Sequence, residues 1–127
     1  MKKKYLFLSA LLILVVGFKE DNSFEIYCNS RFSFCIKYPK DFIAEEEPTN
    51  GDGQIFISKD SLTEIRGSGM LAYDEKIIDD FNASVTDIKV SYKVIKNSWF
   101  IFSGVDKAGK IVYQKTVRRK INYFNDD

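Results

Sequence analysis

Trp99-Phe100-Ile101-Phe102 is apolar at four consecutive positions, bounded by Asn97-Ser98 before it and by Asp106-Lys107-Ala108-Gly109 after it. A short apolar run between two turn signals reads as a strand buried on both faces, and such a strand is central in its sheet. Its flanks alternate instead. Ile88, Val90, Tyr92 and Val94 are separated by Lys89, Ser91 and Lys93, and Ile111, Tyr113 and Val117 recur along Lys110 to Val117. Successive side chains of a strand point to opposite faces, so each flank predicts a half-buried strand, with Ile88, Val90, Tyr92 and Val94 on one face. Ile88 to Val117 is therefore expected to be a three-stranded meander holding the only tryptophan and much of the core.

Upstream, Phe24 to Cys28 and Phe32 to Tyr38 predict a hairpin whose second strand shows Phe32, Phe34, Ile36 and Tyr38 on one face and Ser33, Cys35 and Lys37 on the other. Pro39 has no N–H for the ladder and is expected to stop that strand, and Lys40-Asp41-Phe42 to make a short helical turn. Glu45 to Gly53 combines an acidic run, a proline and two glycines and reads as a loop. Gln54 to Lys59 predicts a strand with Ile55 and Ile57 facing away from Phe56, and Thr63 to Ala72 another, weakened by Gly67 and Gly69. Asp74 to Val85 is the one clear helix: Asp74 can cap it, and Ile77, Ile78, Phe81 and Val85 form its apolar stripe. One helix laid on antiparallel strands gives an α+β fold.

The first 18 residues are set apart from this domain. Lys2-Lys3-Lys4 precedes an uncharged, largely apolar run of about 14 residues from Tyr5 to Phe18, short of the roughly 20 a membrane span needs. Residues 1–18 read as a signal peptide with Val15 and Gly17 before the cleavage point, leaving a single exported domain over 19–127 with no stable membrane span; a retained N-terminal anchor is the alternative. No Cys follows the apolar run, which rules out a lipoprotein anchor. The expected location is the periplasm or the medium of a bacterium. Setting Lys2, Lys3 and Lys4 aside from the 19 basic residues leaves 16 against 18 acidic ones, so no basic surface for nucleic acid is expected.

Cys28 and Cys35 are the only cysteines. In an oxidising compartment an even pair this close predicts a disulfide, here across the hairpin around Asn29-Ser30-Arg31. A redox-active pair would favour the tighter C-x-x-C spacing.

Phe32-Ser33-Phe34-Cys35-Ile36-Lys37-Tyr38-Pro39, Asn50-Gly51-Asp52-Gly53-Gln54-Ile55-Phe56, Tyr92-Lys93-Val94, Trp99-Phe100 with Ser103-Gly104, and Lys110 to Thr116 occur in this order. The series F-x-F-x-I-x-Y-P, N-G-D-G, W-F-x-x-S-G, K-I-x-Y-x-K resembles small exported bacterial proteins of unassigned function. Their fold is similar to that of the photosystem subunit PsbP and a Ran-binding nuclear-import factor. The resemblance covers about three quarters of the chain and rests on strand and turn residues. It implies an antiparallel sheet flanked by helices, and partner binding rather than catalysis. Members of that fold carry a C-terminal helix on the sheet. Eleven residues follow Thr116 here, so that helix is expected to be missing: either the chain is truncated and an apolar sheet face is left uncovered, or another chain covers that face.

The chemistry the chain lacks is equally informative. Without histidine there is no Ser-His-Asp or Cys-His arrangement, no histidine zinc ligand and no imidazole base. Glu45, Glu46 and Glu47 form a solvated loop run, and a carboxylate-pair hydrolase is only a third reading. Asn50-Gly51-Asp52-Gly53 resembles part of a calcium loop, but the twelfth place from Asn50 is Ser61 rather than a bidentate Glu, which favours a turn. Arg118, Arg119 and Lys120 form a basic cluster that can meet an acidic partner or lipid headgroups, or guard an edge strand.

Together these point to an exported, disulfide-clipped, non-enzymatic domain without cofactor. It would bind another protein, as an accessory subunit or an inhibitor or immunity-like protein, or a second copy of itself, through its sheet or the loop at Asn50 and Asp52. A small-molecule or metal-ion binder centred on that loop is the alternative.

Overall fold

The structure is a computed structural model that describes residues 22–73 and 76–120. The expected signal segment, Asp74 as a helix cap, and the tail beyond Lys120 lie outside the described residues. The described chain is mostly antiparallel strand with one helix, an α+β arrangement, and it forms two compact units, Met1–Gly69 and Met70–Asp127.

In the first unit, β1 (Phe24–Asn29) and β2 (Phe34–Pro39) form the predicted hairpin, with Cys28 directly opposite Cys35 and bridged to it. Their Cα atoms are 4.1 Å apart, as in the closer, non-hydrogen-bonded pairs of an antiparallel ladder. Pro39 ends β2, yet the ladder runs one step past it, because Lys40 N donates to Ser23 O at 2.9 Å. Lys40 to Phe42 is a simple turn closed by Phe42 N on Pro39 O, not a helical one. It leads into β3 (Ile43–Ala44), a strand that no sequence signal marked. β3 pairs with β4 (Gly53–Ile57), and β4 with β5 (Glu64–Ser68).

Phe56 of β4 is the centre of this unit. Its ring stacks on Tyr38 at 3.9 Å and meets Tyr27 edge-on at 5.8 Å, so the inner face of the hairpin lies on the β3–β4–β5 sheet. Phe34 and Ile36 belong to that same face and close over Gly67, where a Cβ would come within 2.8 Å of Ile36 Cδ1. The glycine that weakens β5 by propensity is thus the one that lets the hairpin settle.

In the second unit, α1 (Ile77–Ser84) lies on the sheet formed by β6 (Ile88–Ile95), β7 (Trp99–Asp106) and β8 (Ile111–Val117), with β7 central. The Asp79 carboxylate accepts from Lys76 N at 2.9 Å and so closes the start of the helix. Ile77 and Phe81 are buried, Val85 packs beside them, and Ile78 turns outward. Phe81 meets Phe100 and Phe102 edge-on at 5.5 and 6.1 Å.

The sequence pattern is broken in β6. Val90 pairs with Gly104 and Tyr92 with Ser103, so Ser91 is an extra residue, a β-bulge. The bulge reverses the parity. Ile88 and Val90 face the helix as expected, but beyond it Lys93 and Ile95 take that face, opposite Phe102 and Phe100. Tyr92 and Val94 move to the other side, opposite Ser103 and Ile101. Lys93 stays solvated by stretching its ammonium to 5.5 Å from the centre of the Phe81 ring. Opposite the bulge, a Cβ at Gly104 would crowd Lys89 O and lie 2.7 Å from Ile88 Cγ2.

Two outcomes test this packing. Phe102→Ala removes a fully buried ring and should cost about 3–5 kcal/mol in denaturant unfolding. Reducing the bridge between Cys28 and Cys35, which closes a loop of about eight residues, should cost up to about 2.5 kcal/mol.

Candidate functional site

In the second unit β7 shows Phe100, Phe102 and Gly104 to the helix and Trp99, Ile101, Ser103 and Val105 to the opposite face. Strand register adds Lys89, Tyr92 and Val94 from β6, and Ile111, Tyr113, Lys115 and Val117 from β8. Among the described residues this face is left partly exposed, where the apolar run predicted cover. Ile111 is 86 % exposed, Tyr113 67 % and Tyr92 54 %, while Trp99 and Ile101 are half-buried. Trp99, Ile101, Tyr113, Lys115 and Val117 line a shallow depression of about 280 Å³ on it. The charged side chains that the register brings to this face are Lys89 and Lys115, with no carboxylate between them.

A second depression of about 460 Å³ at the start of α1 is lined by Ile77, Ile78 and Ile95 together with Lys76, Lys96, Asn97 and Arg118. Arg118 takes part in structure there. Its N–H donates to Ser98 O at 2.7 Å, prolonging the β7–β8 ladder by one bond, and its guanidinium donates to Asp80 at 2.8 Å. The basic cluster therefore divides: Arg118 is tied back to the helix, and Arg119 and Lys120 are exposed beyond the end of β8.

In the first unit the loop at Asn50 and Asp52 is clamped to the turn of the hairpin. Arg31 donates to Asp52 Oδ1 and, at 2.7 Å, to Asn50 O; Asn50 Nδ2 donates to Asp52 Oδ2 at 2.6 Å. Asn29 is buried and fully used: its amide donates to Gly51 O at 2.8 Å and to Tyr27 Oη, and its carbonyl accepts from Phe32 N at 2.9 Å. Gly51 holds φ +66, a left-handed conformation that suits glycine at this turn. Both Asp52 oxygens thus have protein donors, and the loop reads as a joint between hairpin and sheet. Asn29 and Arg31 carry that joint, and their sequence signal, a turn between two strands, gave no hint of it. Among the described residues no three His, Cys, Asp or Glu side chains come together as a metal-binding group, and no helix is long and apolar enough to cross a membrane.

Among the described residues, two side chains have pKa values shifted from the ordinary ones. Tyr38 Oη donates to Glu25 Oε2 at 2.8 Å, and that carboxylate raises the phenol above its usual value. In the β4–β5 turn Asp60 Oδ1 accepts from Ser58 Oγ at 2.6 Å and from Leu62 N at 3.0 Å, which holds the carboxyl below the usual aspartate range. Ser58 Oγ in turn accepts from Thr63 N, and Ser61 sits at φ 60 between them. These bonds shape a turn rather than a reactive centre.

No family model matches the chain, and no curated protein or solved structure matches it either.

The Asp60 turn has a pH signature. A carboxyl held low stabilises the fold above the ordinary aspartate pKa of about 3.9, and that contribution fades as pH falls through the lower folded value. Asp60→Asn should lower the Tm at neutral pH, and the gap to the unaltered protein should narrow on acidification from pH 5 toward pH 2 in thermal scans followed by circular dichroism.

Proposed function

We propose that this protein is an exported, non-enzymatic binding domain whose open β6–β7–β8 face docks another protein. The observation that carries the reading is that face itself. Tyr92, Val94, Trp99, Ile101, Val105, Ile111, Tyr113 and Val117 make a continuous apolar and aromatic surface. Exposed aromatic surface of this kind characterises interfaces more than ordinary protein exterior. With lysines as its charges, the face fits a partner patch that is apolar at its centre and edged by carboxylates. The PsbP-like resemblance points the same way, toward a sheet that serves partners, as an accessory or inhibitor-type subunit. The disulfide suits an oxidising compartment outside the cytoplasm.

The loop at Asn50 and Asp52 takes second place as a binding site because its oxygens are committed to Arg31 and Asn50. The test is co-purification of the oxidised protein with its partner from the producing cell's envelope, followed by titration of variants. Tyr92→Glu and Ile101→Glu place a carboxylate on the face and should each weaken binding more than about tenfold. Asp52→Asn should leave it unchanged. Binding lost in Asp52→Asn and kept in the face variants would transfer the site to the loop.

A further inference from the structure

Among the described residues β8 is an edge strand, and its backbone is half used. Lys110 O accepts from Asp106 N and Arg118 N donates to Ser98 O, so the even-numbered residues of β8 turn their N–H and C=O groups toward β7. The odd ones, Ile111, Tyr113, Lys115 and Val117, therefore aim theirs outward, where the described residues supply no hydrogen-bond partner. The other outer strands of the two three-stranded sheets are blunted in ways that natural sheets use against pairing. β6 carries the bulge at Ser91, β3 has two residues, and β5 carries Glu64 and Arg66. β8 is regular over seven residues and apolar at three of its four outward positions.

We infer that β8 is a self-pairing edge: two copies of this chain join β8 to β8 antiparallel about a two-fold axis at Gln114, making one six-stranded sheet. The register follows from the residues. Antiparallel pairing must set outward-aimed residues opposite one another, so the axis passes through a residue, and only Tyr113, Gln114 or Lys115 brings three or more of the four into pairs. An axis at Lys115 opposes two lysines, which is unfavourable. An axis at Tyr113 leaves Val117 without a partner among the four outward-aimed residues. The axis at Gln114 uses all four: Ile111 lies opposite Val117, and Tyr113 opposite the partner copy's Lys115, whose ammonium can rest on the tyrosine ring. On the helix side Gln114 meets its own copy and Val112 meets Thr116. Arg118 falls opposite Lys110, but it is already paired with Asp80. The observation behind this pairing is the strand's edge, so it stands or falls apart from the docking of a partner on the open face.

The oxidised protein is examined by sedimentation over a dilution series, with circular dichroism to show that each variant is folded. Tyr113→Lys opposes two pairs of lysines and should weaken the dimer about tenfold or more. Tyr113→Glu sets opposite charges together and should keep it; an axis at Tyr113 would make both variants self-repelling. Gln114→Cys places two thiols across the axis in a non-hydrogen-bonded pair and should give a covalent dimer on oxidation, whereas Tyr113→Cys should not. Tyr92→Glu, on the open face and away from the edge, should leave the dimer intact. A monomer at every concentration, equal loss in both charged Tyr113 variants, or a dimer indifferent to them that Gln114→Cys does not cross-link would overturn the proposal.

Discussion

Phe81 edge-on against Phe100 and Phe102 is the contact on which the second unit depends. An eight-residue helix is too short to hold itself together in water, so α1 exists because its apolar stripe finds these rings. The rings are there because β7 places every second side chain on one face, and they are sealed because β6 and β8 flank them with Val90, Ile95 and Val112. Burial of this kind is worth about 1.5–3 kcal/mol for each large side chain, which explains why so small a layer can be ordered.

The bulge at Ser91 decides what the other face becomes. Strict alternation along β6 would have put Tyr92 and Val94 against the helix and Lys93 on the open side. One extra residue exchanges them, leaving the helix face to Ile95 and to a snorkelling Lys93, and giving the open face a tyrosine and a valine. The same insertion blunts the β6 edge. A single residue thereby enriches the face and leaves β8 as the more regular edge of this sheet.

The first unit is held by a different balance. Phe56 supplies its apolar centre under Tyr27 and Tyr38, but the position of the Asn50 to Gly53 loop is set by polar groups, chiefly Asn29 and Arg31. A buried amide without partners is costly, so Asn29 fixes the loop as firmly as it is fixed by it. The charged bond between Arg31 and Asp52 is half-exposed and adds geometry more than stability. In that combination Asn50 and Asp52 are held in place by Arg31 and by each other.

The elements were legible in the residues alone: the hairpin, its bridge from Cys28 to Cys35, the helix on an antiparallel sheet, and β7 as the central strand. These follow from local periodicity, turn residues and cysteine spacing, which act over a few residues. The sequence did not reveal β3, because two residues carry no period, or the bulge, because an inserted serine leaves the hydrophobic pattern looking continuous. Folding, not local pattern, pairs Asp52 with Arg31 and Arg118 with Asp80, and among the described residues it leaves Trp99 and Ile101 on a half-exposed face. Partner choice between distant residues and the covering of a face depend on three-dimensional packing, and no local pattern of residue types encodes them.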